Sequence, residues 1–139
     1  LQTAMEAREA SYAGQELFAR LEHLKVPSVA VIGGVCVGGG LEFALACKHR
    51  LVIDDPRTKL GLPEVELGLL PAWGGTQRLP RLVGLSAALP MLLTGKKLGA
   101  HDAVKMGLPD QVITAKELDQ QLNQFLMGLL DGRQLPRRN

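Results

Sequence analysis

The stretch VAVIGGVCVGGGLE, residues 29–42, contains the strongest fold signal in this chain. The apolar, largely β-branched run at 28–32 predicts a buried strand, and the glycine-rich segment 33–40 predicts a turn. A helix is predicted from about residue 40 to 49, because apolar residues continue there without proline. A strand, a glycine turn and a helix start therefore follow one another, which leaves free backbone N–H groups at the helix start.

Two glutamates near this turn are candidates for acid–base chemistry. Glu42 follows Gly39 by three residues, so its side chain lies on the same helix face, one turn in. Glu64, at the end of GLPE, is the second candidate. A glycine-turn N–H suits a developing oxyanion, and two carboxylates in apolar surroundings suit proton transfer, since burial and repulsion raise at least one pKa. The alternatives are that the glycines only permit tight helix–strand packing and that Glu64 is a solvent-exposed loop residue.

Strands alternate with helices early in the chain and helices dominate its end, which indicates an α/β layered fold. The first helix is predicted over 1–24 and ends before Pro27. The last begins at a predicted capping box, TAKE at 114–117, and ends at Gly132. The other predicted elements are strands at 51–53 and 59–62, a loop at 68–75, helices at 77–82, 87–93 and 100–106, and an extended piece at 112–113.

Composition excludes several classes of protein. The 139 residues are one domain's worth, and 46% hydrophobic with 22% charged residues is ordinary for a globular protein. A net charge of +2 gives no indication of nucleic-acid binding, no apolar run approaches the roughly 20 residues of a membrane span, and no secretory signal is predicted. Cys36 and Cys47 lie in apolar segments and are predicted to be reduced, buried thiols. The three histidines lie far apart and predict no metal site.

Several motifs together resemble the crotonase (enoyl-CoA hydratase/isomerase) family, and most of all the hydratase domains of multifunctional fatty-acid oxidation α subunits. They are the segments at 30–42, 60–71, 74–80, 92–96 and 103–108. The resemblance implies an α/β crotonase spiral of β-β-α units with C-terminal helices. It also implies that residues 1–131 are the C-terminal half of an enoyl-CoA hydratase/isomerase domain and that 132–139 are a tail or the start of a linker.

The activity implied by the resemblance is a lyase reaction, syn addition of water to a trans-2-enoyl-CoA in fatty-acid β-oxidation. Gly39 would donate an oxyanion N–H, Glu42 would activate the water, and Glu64 would exchange the proton at Cα. Because both acids are present, hydratase is favoured over isomerase. Substrate contacts are implied at Gly38, Pro63, Trp73 and Gly74. Trp73 stands where the family often has small residues, so it either narrows the acyl pocket or packs under its loop.

Coenzyme A enters as part of the substrate, so no separate cofactor is implied. The implied partners are an acyl-CoA thioester and further copies in a trimer-based homo-oligomer, or the other subunits of a fatty-acid oxidation complex. The implied location is the bacterial cytoplasm or an organellar matrix. An isomerase or other crotonase thioester reaction, and a non-catalytic truncated fragment or assembly module, stay open as alternatives.

The chain begins at Leu1 in helical-looking sequence, and the family domain is about twice this length, so we expect a fragment. The absent half normally supplies the second oxyanion donor and much of the CoA pocket. The chain alone is therefore expected to show little hydratase activity.

Overall fold

A computed structural model describes residues 3–132 of the protein. The predicted tail or linker lies outside the described residues except for Gly132, whose φ of 63° follows the last helix. In chain order the elements are α1 (Ala4–Glu22), β1 (Val29–Ile32), β2 (Val35–Val37), α2 (Gly39–Ala46), β3 (His49–Ile53), β4 (Lys59–Gly61), a first 3₁₀ helix (Pro63–Leu67), α3 (Gly75–Val83), α4 (Leu85–Thr94), α5 (Ala100–Met106), β5 (Gln111–Ile113), a second 3₁₀ helix (Ala115–Glu117) and α6 (Leu118–Leu130).

The described strands form two parallel sheets, one in the order β1-β3-β5 and one of β2 and β4. Consecutive strands belong to different sheets: β1 pairs with β3, whereas β2 pairs with β4. The chain thus moves from one sheet to the other and then into α2, which is the β-β-α order that the family resemblance implies. Parallel pairing brings the ends of β2 and β4 to the same edge, where Val37 lies opposite Gly61. The candidate glutamates follow these two strand ends.

Two element predictions are wrong around the glycine segment. Residues 35–37 form β2 rather than part of a turn, with Gly34 (φ 81°) before the strand and Gly38 (φ 56°) after it. A strand this short, flanked by glycines, has too little alternation to be recognised from sequence. The helix α2 ends at Ala46 instead of continuing to residue 49, because Cys47 is extended and leads into β3.

The predicted capping box of the last helix is also wrong. Thr114 precedes the second 3₁₀ helix without a side-chain capping bond to the backbone. Its Oγ1 lies 3.3 Å from Oε2 of Glu117, and its N–H donates to Oε1 of Gln121 at 2.9 Å. A reciprocal capping box does form at the first helix, where the N–H of Glu6 donates to Oγ1 of Thr3 at 3.1 Å and the N–H of Thr3 donates to Oε2 of Glu6 at 3.2 Å.

The main core lies between the sheets and the helices α2 to α5. Its largest fully buried side chains are apolar and unbranched at Cβ, and two of them are close neighbours of Glu42 and Glu64 in the chain. They are Leu41, Leu60, Leu62, Leu79, Met91 and Leu108. Both cysteines are free thiols, as predicted; Cys47 is buried and Cys36 partly buried, and burial raises the pKa of each. No described helix combines the length and the apolar character needed to cross a bilayer.

A buried arginine on β3, the central strand of the three-stranded sheet, hydrogen-bonds to backbone carbonyls of neighbouring segments. Arg50 on β3 is 4% exposed, and its guanidinium donates to the carbonyl oxygens of Cys47 at 2.6 Å, Leu108 at 3.1 Å and Ala44 at 3.3 Å. The same group lies 3.9 Å from a carboxylate oxygen of Asp110. Arg50 therefore joins the end of α2 to the segment between α5 and β5.

Replacing this side chain should destabilise the fold strongly. Arg50→Ala removes the guanidinium that donates to the buried carbonyl groups of Cys47 and Leu108, so the free energy of unfolding should fall by about 3 kcal/mol. Urea denaturation of the purified protein measures the change. Arg57→Ala is the control, because Arg57 pairs with Asp55 on the surface and its side chain is 85% exposed. Equal midpoints for the two variants would show that Arg50 contributes no special stability.

Candidate active site

The turn between β2 and α2 places a backbone donor at the edge of the two-stranded sheet. Gly38 has a φ of 56°, in the left-handed region that favours glycine, and its N–H donates to the carbonyl of Gly61 at 3.0 Å. Its own carbonyl accepts the N–H of Glu42 at 3.0 Å, the first hydrogen bond of α2. Gly39 is the first residue of that helix, so its N–H has no partner carbonyl one turn earlier within it.

The carboxylate of Glu42 is buried and held by the loop that precedes α3. The residue is 2% exposed, and its Oε1 accepts the backbone N–H groups of Trp73 and Gly75, each at 2.8 Å. Gly74, between them, has a φ of 107°, which lets the loop direct both donors to one oxygen. Two backbone donors thus fix this carboxylate at the N-terminal end of α3, where the helix dipole favours negative charge.

The carboxyl group of Glu64 lies on the other side of the Gly38 turn in a different environment. A methyl group built on Gly38 would lie 3.4 Å from its Oε1, and its Oε2 is buried with no hydrogen-bond partner among the described atoms. Burial raises the pKa of Glu64, and the negative charge of Glu42 raises it further, although the backbone N–H of Glu64 itself partly offsets this. Neither glutamate carboxylate is fully solvent-exposed, in contrast to the loop alternative for Glu64.

The structure brings the sequence-predicted residues together around this turn. Pro63 begins the first 3₁₀ helix and precedes Glu64, which places that side chain beside Gly38. Gly74 belongs to the loop that holds Glu42, but the space a side chain would need there is taken by the guanidinium of Arg78. Within residues 3–132, no group of three histidines, cysteines or acidic residues is arranged to hold a metal ion.

The indole of Trp73 packs between α1 and the start of α2. Its six-membered ring covers Gly39, where an added methyl would come within 2.7 Å of Cζ3, and its pyrrole edge contacts Gly14 of α1. The indole also meets Phe18 edge-on, with ring centroids 5.6 Å apart. The side chain is 37% exposed. It therefore bridges α1 and the first turn of α2 directly beside the candidate oxyanion donor.

Sequence reasoning missed the residues that tie this loop down. The carbonyl of Ala72 accepts Nε2 of Gln15 at 2.7 Å, and Nη1 of Arg78 donates to the carbonyl of Trp73 at 2.9 Å. Arg78 also forms an ion pair with Glu22 of α1 at 2.9 Å. These partners are 5 to 57 positions apart, so no local motif connects them all. These residues line a cavity of about 430 Å³, and neither Glu42 nor Glu64 lines it.

Comparison with known proteins identifies the family. Residues 2–135 match the sequence model of a family described as enoyl-CoA hydratase/isomerase. The chain belongs to this family. It is 60% identical over 111 residues to the fatty acid oxidation complex subunit alpha of Shewanella loihica, a match that covers 80% of this chain and 16% of that protein.

Solved structures of this family share the fold. The enoyl-CoA hydratase of Geobacillus kaustophilus superposes with a TM-score of 0.85 at 35% identity, covering 91% of this chain and 48% of that one. A Thermobifida fusca protein assigned as an enoyl-CoA hydratase, solved in complex with CoA, gives a TM-score of 0.83 at 31% identity, covering 91% and 49%. The predicted crotonase fold is thus confirmed. The chain spans about half the length of these solved structures and a sixth of the fatty acid oxidation subunit.

The contact between Trp73 and Gly39 can be tested with the chain's single tryptophan. Gly39→Ala should displace the indole, because the new methyl would lie 2.7 Å from Cζ3. The emission maximum should move to longer wavelength and acrylamide quenching should increase. Gly40→Ala is the matched control, since a methyl there meets nothing within 4 Å. Unchanged fluorescence in Gly39→Ala would mean that the indole does not cover this glycine.

The raised pKa of Glu64 predicts a pH-dependent cost to stability. Below the ordinary pKa of 4.5 the carboxyl is protonated in both the folded and unfolded states, so it carries no charge to bury. As pH rises through the higher folded-state pKa, stability is lost because the folded protein must ionise a desolvated group. Glu64→Gln should therefore gain stability over wild type between about pH 4 and about pH 8. Urea midpoints of both proteins at the two pH values measure this gain in stability. A stability difference that does not change with pH would contradict the raised pKa of Glu64.

Proposed function

We propose that this protein contributes to an enoyl-CoA hydratase that adds water, with syn stereochemistry, to a trans-2-enoyl-CoA. Glu42 takes a proton from water as the hydroxide adds to Cβ, and the alkene electrons move onto the thioester carbonyl to give an enolate. Gly39 donates its N–H to the enolate oxygen, and Glu64 transfers its proton to Cα as the carbonyl re-forms. One H and one OH are added in total, and a proton passing from Glu42 to Glu64 resets the pair.

The observation that carries this proposal is the contrast between the two carboxyl environments. Glu42 accepts two backbone N–H bonds that hold its carboxylate in place as a base, whereas burial raises the pKa of Glu64 and so favours a proton donor. When two titratable groups of an enzyme lie in different environments, those environments indicate which group acts as the acid and which as the base. An isomerase that moves a double bond returns a proton from one carbon to another, which a single carboxyl group can do, whereas hydration uses one group for the water and one for Cα. The presence of both carboxyl groups therefore favours hydration.

Gly39 supplies one donor to the enolate oxygen, and we propose that a second comes from the other half of a crotonase domain. The chain covers 48% of the Geobacillus structure, so half of such a domain is not represented in it. Losing one donor of an oxyanion hole costs roughly 10²–10³ in rate, and missing contacts to remote parts of the substrate weaken positioning. The 139-residue chain alone should therefore turn over enoyl-CoA far more slowly than a complete domain does.

We propose acyl-CoA as the substrate class and no cofactor apart from the coenzyme A that the substrate carries. The bound CoA of the Thermobifida protein and the fatty-acid oxidation relative support this assignment. Leu85, Leu89 and Leu93 form an exposed apolar stripe on α4, which supports trimer-based self-association or assembly into an oxidation complex. The bacterial relative favours a cytoplasmic location over an organellar matrix.

Glutamine substitutions test the roles of the two acids. In the full-length gene product, Glu42→Gln and Glu64→Gln should each lower kcat for crotonyl-CoA hydration by more than about 10²-fold with a smaller effect on KM, because both act in the transition state. Loss of the enoyl absorbance measures the rate. Glu66→Gln is the matched control, since Glu66 is exposed on the same 3₁₀ helix and pairs with Lys97.

Three outcomes would contradict parts of the proposal. Wild-type activity of either glutamine variant removes that residue from the mechanism. Double-bond migration without hydration points to the isomerase alternative. A full-length product that neither hydrates nor isomerises any enoyl-CoA points to an assembly module.

A further inference from the structure

The space beside the proposed reaction centre is occupied by an aromatic wall. Trp73 meets Phe18 edge-on at 5.6 Å, and Phe18 in turn meets Phe43 edge-on at the same centroid distance. The wall thus runs from the loop before α3, across α1, to the outer face of α2. Phe18 and Phe43 also border an open apolar groove of about 520 Å³ on α1, which Leu17 and Leu21 line as well.

Trp73 is the member of this wall that stands next to the reacting atoms. The thioester oxygen must come within hydrogen-bond distance of the Gly39 N–H, and the six-membered ring of Trp73 covers that same glycine. The carbon that water attacks must face Glu42, whose Oε1 is held by the N–H of Trp73 itself at 2.8 Å. The acyl chain continues from this carbon, and in the proposed arrangement its first methylenes would pass beside Trp73.

The indole has little freedom to move away from a longer acyl chain. Its pyrrole edge contacts Gly14 of α1, where even a methyl group would overlap the ring, and Phe18 blocks the direction of the apolar groove. Its backbone is held on both sides, by Glu42 through the N–H and by Arg78 through the carbonyl. Displacing the ring would therefore disturb the loop that fixes Glu42.

We propose that Trp73 closes the acyl pocket between α1 and α2 and restricts the enzyme to short 2-enoyl thioesters of about four carbons. This inference rests on the proposed hydratase function and adds the substrate class to it. Removing the indole opens the space beside Gly39 and Gly14 as far as Phe18.

The test compares acyl lengths rather than activity alone. In the full-length gene product, kcat/KM for hydration is measured with trans-2-enoyl-CoA substrates of four and of ten carbons. The wild-type protein should favour the four-carbon substrate by at least about 10-fold, since a few methylenes that do not fit cost that much or more. Trp73→Ala should reduce this preference by at least about 10-fold, mainly through faster turnover of the ten-carbon substrate.

Two further variants keep the result interpretable. Trp73→Phe retains an aromatic ring against Phe18 with less bulk, so it should give an intermediate preference even if the alanine variant folds poorly. Leu70→Ala, in the same loop at a residue that is 72% exposed, should leave the preference unchanged.

The outcomes separate this inference from the function on which it rests. Equal wild-type turnover of both substrates, or a preference that neither Trp73 variant changes, would overturn the role of Trp73 and leave hydration intact. Failure of the wild-type protein to hydrate either substrate would overturn the proposed function itself, and the inference with it.

Discussion

The rest of the site depends on one buried interaction, the acceptance of two backbone N–H groups by a single oxygen of Glu42. The donors, Trp73 and Gly75, follow Glu42 by 31 and 33 residues, so the contact joins the first turn of α2 to the start of α3. A carboxylate that is 2% exposed would be costly without such partners. Its burial therefore requires this loop conformation, and the loop in turn determines where the Trp73 indole lies.

The surrounding fold supports this interaction from several directions. Parallel pairing of β2 with β4 aligns the strand ends from which Gly38 and Glu64 follow. Arg78 holds the loop carbonyl next to the donors and pairs with Glu22, which adds a connection to α1. At Glu64 a buried oxygen without a hydrogen-bond partner among residues 3–132 costs folding energy, and the proposed role as a proton donor would use the proton that the raised pKa favours.

The parts of the site that could be predicted from sequence are those carried by local spacing. Gly39 and Glu42 lie three residues apart on one helix, so their convergence follows from helical geometry alone. The approach of Glu64 could be expected only through a resemblance between motifs, because it depends on which strands pair. Strand β2 could not be recognised from sequence because it is short and glycines flank it. Residues 114–117 match the capping-box pattern, but the N–H of Thr114 donates to the side chain of Gln121 instead of Glu117.

The surroundings of Trp73 required three-dimensional information, since its neighbours Gly14, Phe18 and Gly39 come from two other helices. The same is true of Gln15 and Arg78, whose contribution is to hold loop carbonyls and whose positions carry no catalytic signature. Long-range contacts of this kind are set by tertiary packing, which single-sequence patterns do not encode.

Residue-resolved amide hydrogen exchange of the 139-residue chain tests the central interaction most directly. In the wild-type protein the N–H groups of Trp73 and Gly75 should be protected, because both donate to Glu42 at 2.8 Å inside the fold. In Glu42→Ala both should lose at least about 10-fold of that protection, while the buried amide of Leu79 on α3 keeps its own and Glu66→Ala changes neither. Exchange at Trp73 and Gly75 that is equally fast with and without the Glu42 carboxylate would contradict the account.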